Sequence, residues 1–187
     1  TPLTSIKGYA SILLSEKLGE LPTAVKERLE KINRHSDELA RLVNDLLDIS
    51  RIESGKVTMK QEVLNLKEII EEIKDLMNVQ LKEKEIEFTS DFSVDAEYVF
   101  ADRQQLERVF INLIGNAIKF TPPKGKISIK THSLDKLFQI DVSDTGIGIP
   151  QESIKAIFEE VYRVDNPINQ KVKGTGLGLS LVKHIVE

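Results

Sequence analysis

The stretch DRQQLERVFINLIGNAIKF, Asp102 to Phe120, carries two stripes on one helix. Leu106, Val109, Phe110, Leu113, Ile114, Ala117 and Ile118 recur at three- and four-residue steps and form a wide core face. Asn112, Asn116 and Lys119 fall on another face, at steps of four and three. An amide carbonyl can ligate Mg2+ and a lysine can meet phosphate, so the second stripe suits a metal–nucleotide pair. Asparagines on a solvated face account for it equally well. Pro122 and Pro123 stop the helix.

Outward from this helix the pattern alternates. Upstream, Leu66 to Lys84 reads as a helix, Ile86 to Phe92 as a strand and Tyr98 to Ala101 as a short strand. Downstream, Lys126 to Thr131 and Leu137 to Ser143 alternate inward and outward residues, as hairpin strands do. Glu152 to Val161 and Leu177 to Val186 read as helices. Helices and strands mixed in this order predict an α/β sandwich, with helices on one face of a largely antiparallel sheet.

The first third of the chain is helical throughout. Leu3, Ile6, Tyr9, Ala10, Leu13 and Leu14 mark a first helix, and Gly19 to Pro22 break it. A long helix follows from about Thr23 to about Glu53. Val25, Leu29, Ile32, Ser36, Leu39, Val43, Leu46 and Ser50 form a coiled-coil seam along it, which Leu42, Leu47 and Ile49 widen. Two helices with so wide an apolar face cannot bury it alone. Docking two hairpins into a four-helix bundle would bury it and predicts a homodimer. Packing of the hairpin against its own downstream domain is the alternative. The expected organisation is α+β: a helical hairpin over residues 1–54, an extended linker over 55–64, and a sandwich domain over 65–187.

Composition excludes several classes. Of 187 residues 40% are hydrophobic and 30% charged, which suits a globular protein. The net charge of −4 gives no basic footprint for nucleic acid. Without cysteine there are no disulfides or thiolate metal sites, and a reducing compartment is compatible. No run of about 18 apolar residues could span a membrane.

Two glycine-bearing segments lie beyond the central helix. Asp144-Thr145-Gly146-Ile147-Gly148-Ile149-Pro150 directly follows a strand. Its glycines let backbone approach a flat ligand, its aspartate can accept from an exocyclic amine such as adenine's, and Ile147 and Ile149 can pack on the ring. An ordinary Asp-Thr-Gly turn is the alternative. Lys173-Gly174-Thr175-Gly176-Leu177-Gly178-Leu179-Ser180 opens a helix, whose first amides make an anion site. It lacks the ending of a P-loop and does not follow a strand. The polar stretch Arg163 to Lys173 before it suits a lid over nucleotide or an ordinary surface loop.

Together these segments resemble a known family. Asn112 to Thr121 (NLIGNAIKFT), Asp144 to Pro150 (DTGIGIP), Ile157 to Asn166 (IFEEVYRVDN) and Gly174 to Ser180 (GTGLGLS) are similar to the N, G1, F and G2 boxes of sensor histidine kinases, in the family's order and spacing. Thr1-Pro2-Leu3-Thr4 resembles the tail of its H box. The resemblance implies an ATP-dependent histidine autokinase core of a two-component system. Its second domain would bind Mg-ATP in the fold shared with gyrase, mismatch-repair and chaperone ATPases. In that reading Asp144 accepts from the adenine amine, Asn116 holds Mg2+, and Asn112 positions the metal–phosphate unit. Lys119 and Arg163 meet phosphates, Gly146 and Gly148 shape the adenine pocket beside Ile147 and Ile149, and Tyr162 packs at its edge. Lys173, Gly174, Thr175, Gly176, Leu177 and Gly178 close the lid over phosphates, and Phe120 joins the nucleotide-binding set.

The resemblance also implies a response-regulator receiver domain as partner, docked on the outer faces of the N-terminal helices. Homodimerisation and a cytoplasmic location follow from it too. Thr1 takes the position that helps orient water for dephosphorylating that partner. The family's phosphoacceptor histidine is expected four residues before Thr1, so the chain is expected to lack it. His35, His132 and His184 are not expected to replace it. The family continues past Glu187 with two more strands, so truncation at both ends is expected. A catalytically silent ATP-binding scaffold, or another ATPase of this fold, are the rival readings. The second needs a catalytic carboxylate near Asn112, where this chain has an amide.

Overall fold

Helical periodicity in the first third of the sequence becomes two helices in the computed structural model, which describes residues 2–54, 59–93, 97–134, 137–165 and 174–187. Helix α1 spans Pro2–Leu14 and α2 spans Thr23–Glu53. The chain divides into two compact units, Thr1–Ser50 and Arg51–Glu187. In the first, Lys7 Nζ donates to Asp37 Oδ1 at 2.7 Å and Asn33 Nδ2 to Ser11 Oγ at 3.2 Å, tying the two helices together. Ala10 and Leu29 are buried. Ser36 and Ile49 are buried too, but Ile32, Leu39, Val43 and Leu46 keep 44–52% of their surface exposed. A row of half-bare aliphatic side chains at heptad spacing is an uncovered face.

The second unit begins with strand β1, Gln61–Asn65, then helices α3, Leu66–Leu76, and α4, Asn78–Glu83. Strands β2, Glu87–Phe92, and β3, Tyr98–Asp102, follow, then helix α5, Arg103–Phe120. Strands β4, Lys126–Leu134, and β5, Leu137–Asp144, precede two short 3-10 turns at Gln151–Ser153 and Ala156–Phe158. Helix α6, Gly178–Val186, comes last. Antiparallel β1 and β3 form one sheet, with Val63 opposite Phe100. The other runs β2-β4-β5, parallel between β2 and β4 and antiparallel between β4 and β5.

Two helix starts are chemically marked. Asn65 Oδ1 accepts from the Lys67 and Glu68 amides and caps α3. Asp102 Oδ1 accepts from the Gln105 amide at 3.1 Å and caps α5, while its Oδ2 accepts from the Lys60 amide at 2.8 Å. Leu66, Ile69, Ile70 and Ile73 of α3 and Phe110, Ile114, Ala117 and Ile118 of α5 pack into one core with Ile127 and Ile129 of β4. The period-2 face of β4 and the period-3.6 faces of the helices thus share one interior.

Three local readings differ from the structure. The helix expected over Leu66 to Lys84 is interrupted at Met77, whose φ of −97° and ψ of 4° leave the helical region. The helix expected over Glu152 to Val161 is replaced by the two 3-10 turns, closed by Ser153 N to Pro150 O at 2.9 Å and Glu159 N to Ala156 O at 2.9 Å. Val161 then turns the chain with a φ of +60°. Residues 61–64, read as linker, are extended but also paired with β3.

Candidate nucleotide site

Helix α5 turns its second stripe into a cavity of about 360 Å³. Asn112, Asn116, Lys119 and Phe120 come from α5, and Asp144 stands at the end of β5. Ile147, Gly148 and Ile149 follow in the next loop, Tyr162 and Arg163 after the 3-10 turns. Gly174, Thr175, Gly176 and Gly178 approach from the start of α6. Segments far apart in sequence therefore meet around one space. Among the singled-out residues, Gly146 and Leu177 are not on the cavity wall, and Leu177 is buried behind it. Thr1 and Lys173, most of the expected lid and residues 55–58 of the expected linker lie outside the described residues.

The loop after β5 is held by its own polar groups. Asp144 Oδ1 accepts from the Gly146 amide at 2.7 Å, which fixes one carboxylate oxygen and leaves Oδ2 as the acceptor a ligand amine can meet. Thr145 Oγ1 accepts from the Lys126 amide at 2.9 Å and anchors the loop to β4. A β-carbon on Gly146 would stand 2.9 Å from Phe120 O, so the loop touches the last turn of α5 backbone to backbone. Ile147 and Ile149 are 44% and 50% exposed, apolar surfaces without cover beside a polar acceptor.

Another part of the wall is cationic. Burial, and then the charge of Arg163, hold the Lys119 ammonium below the usual lysine range. Its Nζ lies 4.9 Å from the Phe120 ring centroid. Gly174 and Gly178 pass so close to Lys119 Nζ and Asn112 Oδ1 that a β-carbon on either would collide with them. Asn112 Nδ2 donates to Arg108 O at 2.9 Å, which turns its Oδ1 toward the start of α6. Gly176 takes a φ of +76° against the backbone of Val161 and Tyr162, a conformation that glycine adopts without penalty. Tyr162 Oη donates to the buried Ser153 Oγ at 3.1 Å, pinning the edge of the cavity.

A partly desolvated Lys119, the exposed Arg163 and the positive end of α6 facing one space make an anion site. An acceptor with flanking aliphatic side chains makes a site for a flat base carrying an amine. Among the described residues no cluster of three or more His, Asp or Glu could hold a metal. A divalent ion here would take amide oxygens from Asn112 and Asn116 and the rest from phosphate and water, which suits Mg2+.

The sequence reading missed Val142, Ile157 and Leu179, which supply apolar wall. The inward alternation of β5 is the signal that could have found Val142. Ile157 and Leu179 sit inside the recognised boxes, yet their side chains carry no chemical mark of a site.

Known proteins align with both units. A family model described as histidine kinase-, DNA gyrase B-, and HSP90-like ATPase matches residues 101–187. A model of the His kinase A (phospho-acceptor) domain matches residues 1–55. Drug sensory protein A of Synechocystis sp. is 37% identical over 198 residues, covering 100% of this chain and 29% of that protein. The solved structure of full-length ShkA in complex with AMPPNP superposes with a TM-score of 0.78 at 26% identity, over 98% of this chain and 37% of that one. Histidine kinase ThkA in complex with response regulator protein TrrA gives 0.64 at 27% identity, over 87% and 47%. The chain spans well under half the length of the curated relatives it matches.

The match over residues 1–55 corrects one expectation. A chain lacking its phosphoacceptor was expected from the H-box comparison. The phospho-acceptor domain model covers the whole helical hairpin, so the phosphoacceptor region is part of the chain.

Proposed function

This chain belongs to the sensor histidine kinase family, and from that premise we propose that it is the autokinase core of a two-component signalling protein. The cavity carries the proposal: an adenine-type acceptor, Asp144, lines one space together with Lys119, Arg163 and the start of α6. Asp144 Oδ2 accepts from the adenine amine while the Gly146 amide holds Oδ1. Ile147 and Ile149 cover the ring. Lys119 and Arg163 meet the phosphates, and Asn112 and Asn116 offer their amide oxygens to the metal. Held there, Mg2+ would supply positive charge against the phosphates. A histidine nitrogen attacks the γ-phosphorus, the bond to the β-phosphate oxygen breaks, ADP leaves and the imidazole loses its proton. The residues of this chain contribute position and positive charge, which is most of what phosphoryl transfer requires.

The half-exposed seam of α2 supports a homodimer through the hairpin. The likeness to a kinase bound to its regulator supports a receiver-domain aspartate as the next phosphoryl acceptor, docked on the outer faces of α1 and α2. We divide the work as dimerisation and phosphotransfer by residues 1–54, a connecting segment at 55–64, and nucleotide binding by 65–187.

Titration of Mg-ATP by calorimetry, beside Asp144→Asn, tests the site. Saturable binding that the substitution abolishes is expected. A well-folded wild-type chain that does not bind Mg-ATP would refute the nucleotide site.

A further inference from the structure

Lys84 lies outside the nucleotide cavity, yet its side chain reaches the end of the helix that carries the site. Its Nζ donates to Ile118 O at 2.7 Å, to Lys119 O at 3.0 Å and to Thr121 O at 3.0 Å. An ammonium has three N–H donors, and here each has a carbonyl. The last carbonyls of a helix have no partner within it, and a cation there also meets the negative end of the helix. Lys84 is itself fixed. It follows α4, its amide bonds to Gln80 O at 3.2 Å, and its carbonyl accepts from the Lys124 amide at 2.8 Å. It thus ties the end of α4, the last turn of α5 and the turn after α5 at a single atom group.

That last turn is where two cavity residues originate. Lys119 and Phe120 both line the cavity, and Phe120 O is the backbone atom that the Gly146 loop touches. The Lys119 carbonyl bonds to Lys84 while the Lys119 ammonium faces Gly174. We propose that Lys84 is a positioning residue for phosphate binding, which fixes the end of α5 so that Lys119 reaches the phosphate end of the nucleotide. The inference rests on the nucleotide site described above and adds a residue that none of the sequence boxes contains. Lys84 touches no ligand. Its effect passes through Lys119.

Ligands with and without phosphate separate this role from general support of the fold. Mg-ATP and adenosine are titrated by calorimetry against wild type, Lys84→Met, Lys119→Met and the double variant. Lys84→Met is expected to weaken ATP roughly tenfold, as misplacement of a charged contact does, and to leave adenosine within about twofold. On the Lys119→Met background, Lys84→Met is expected to add nothing further, because coupled residues are not additive. Equal loss for both ligands, full additivity in the double variant, or unchanged ATP affinity each overturns the proposal. If Lys84→Met does not fold, Lys84→Gln is read instead. Its shorter amide reaches fewer carbonyls, so a smaller loss confined to ATP is expected, and an unchanged ratio of ATP to adenosine affinity overturns the proposal. Wild type that binds neither ligand removes the nucleotide site itself, and this inference with it. Wild type that binds both tests Lys84 alone.

Discussion

Adding one methyl group at Gly146 tests whether the loop after β5 must touch α5. A β-carbon there would lie 2.5 Å from Asp144 Oδ1 and 2.9 Å from Phe120 O, where ordinary contact begins near 3.4 Å. One side has to retreat by at least about half an ångström. The Phe120 carbonyl sits between Lys119 and Thr121, whose carbonyls Lys84 holds, so α5 resists. The loop after β5 therefore backs away from Phe120 O, and the free-ended Asp144 carboxylate is pushed aside. Its 2.7 Å bond from the Gly146 amide then breaks, and the acceptor leaves its place at the adenine. A hydrogen bond to a charged group contributes about 1.5–3 kcal/mol, so Gly146→Ala should weaken Mg-ATP about ten- to a hundredfold. The crowding itself costs about 1–3 kcal/mol of stability, which a folded domain of ordinary stability survives. Calorimetric titration gives the affinity, and a thermal melt confirms that the variant is folded. A folded variant that binds ATP within about twofold of wild type would show that the contact does not position Asp144.

Three further outcomes follow from other parts of the structure. Asp102→Ala removes the cap of α5 and the acceptor for the Lys60 amide, and urea unfolding at neutral pH should show a loss of about 1–2 kcal/mol. The Lys60 amide and then the Gln105 amide hold the Asp102 carboxyl below its usual range. Its contribution is therefore complete above the unfolded value near about 4 and is lost as pH falls through the lower folded value; Asp102→Asn should flatten that acid limb. Because burial and Arg163 depress Lys119, its ammonium loses its proton below the usual lysine range, so ATP affinity should fall with rising pH before ordinary lysines titrate. The unliganded chain should gain stability over the same window, since the unfolded chain binds the extra proton there; Lys119→Arg should remove the ATP pH dependence. Leu39→Asp, in the half-exposed seam of α2, should convert the proposed dimer to monomer in sedimentation velocity without lowering ATP affinity.

Much of this was legible because periodicity reports which faces are covered. Both stripes of α5 were readable on one 3.6 repeat, but the amide-bearing face alone suited a solvated surface equally well until the boxes were read together. The break at Met77 was not readable. Leu66, Ile69, Ile70, Ile73, Met77 and Leu81 continue the same spacing, and all are buried, so the pattern runs through the kink. The segment Glu152 to Val161 misled in the opposite sense. Ile154, Phe158 and Val161 have helical spacing, yet they are 42%, 39% and 62% exposed and face no core. The site residues stood out through their boxes, where glycine and amide side chains are tied to chemistry. Lys84 stood out nowhere, because a lysine that spans more than 30 positions to cap another helix carries no local mark. The phosphoacceptor region was misjudged because the reading relied on one short box, while the whole hairpin carries the match.

The mixed pairing of the larger sheet has a consequence for the order of folding. Strands β4 and β5 are joined through the Leu134–Leu137 pair, a loop closure among the cheapest in entropy. Strand β2 must instead wait for residues 93–125, including all of α5, before it can align in parallel with β4. Amides of β4 and β5 should therefore gain protection in pulsed hydrogen exchange before those of β2. The strand bearing Asp144 then belongs to the part that assembles first, and the final seal of the unit forms on the far edge of the sheet.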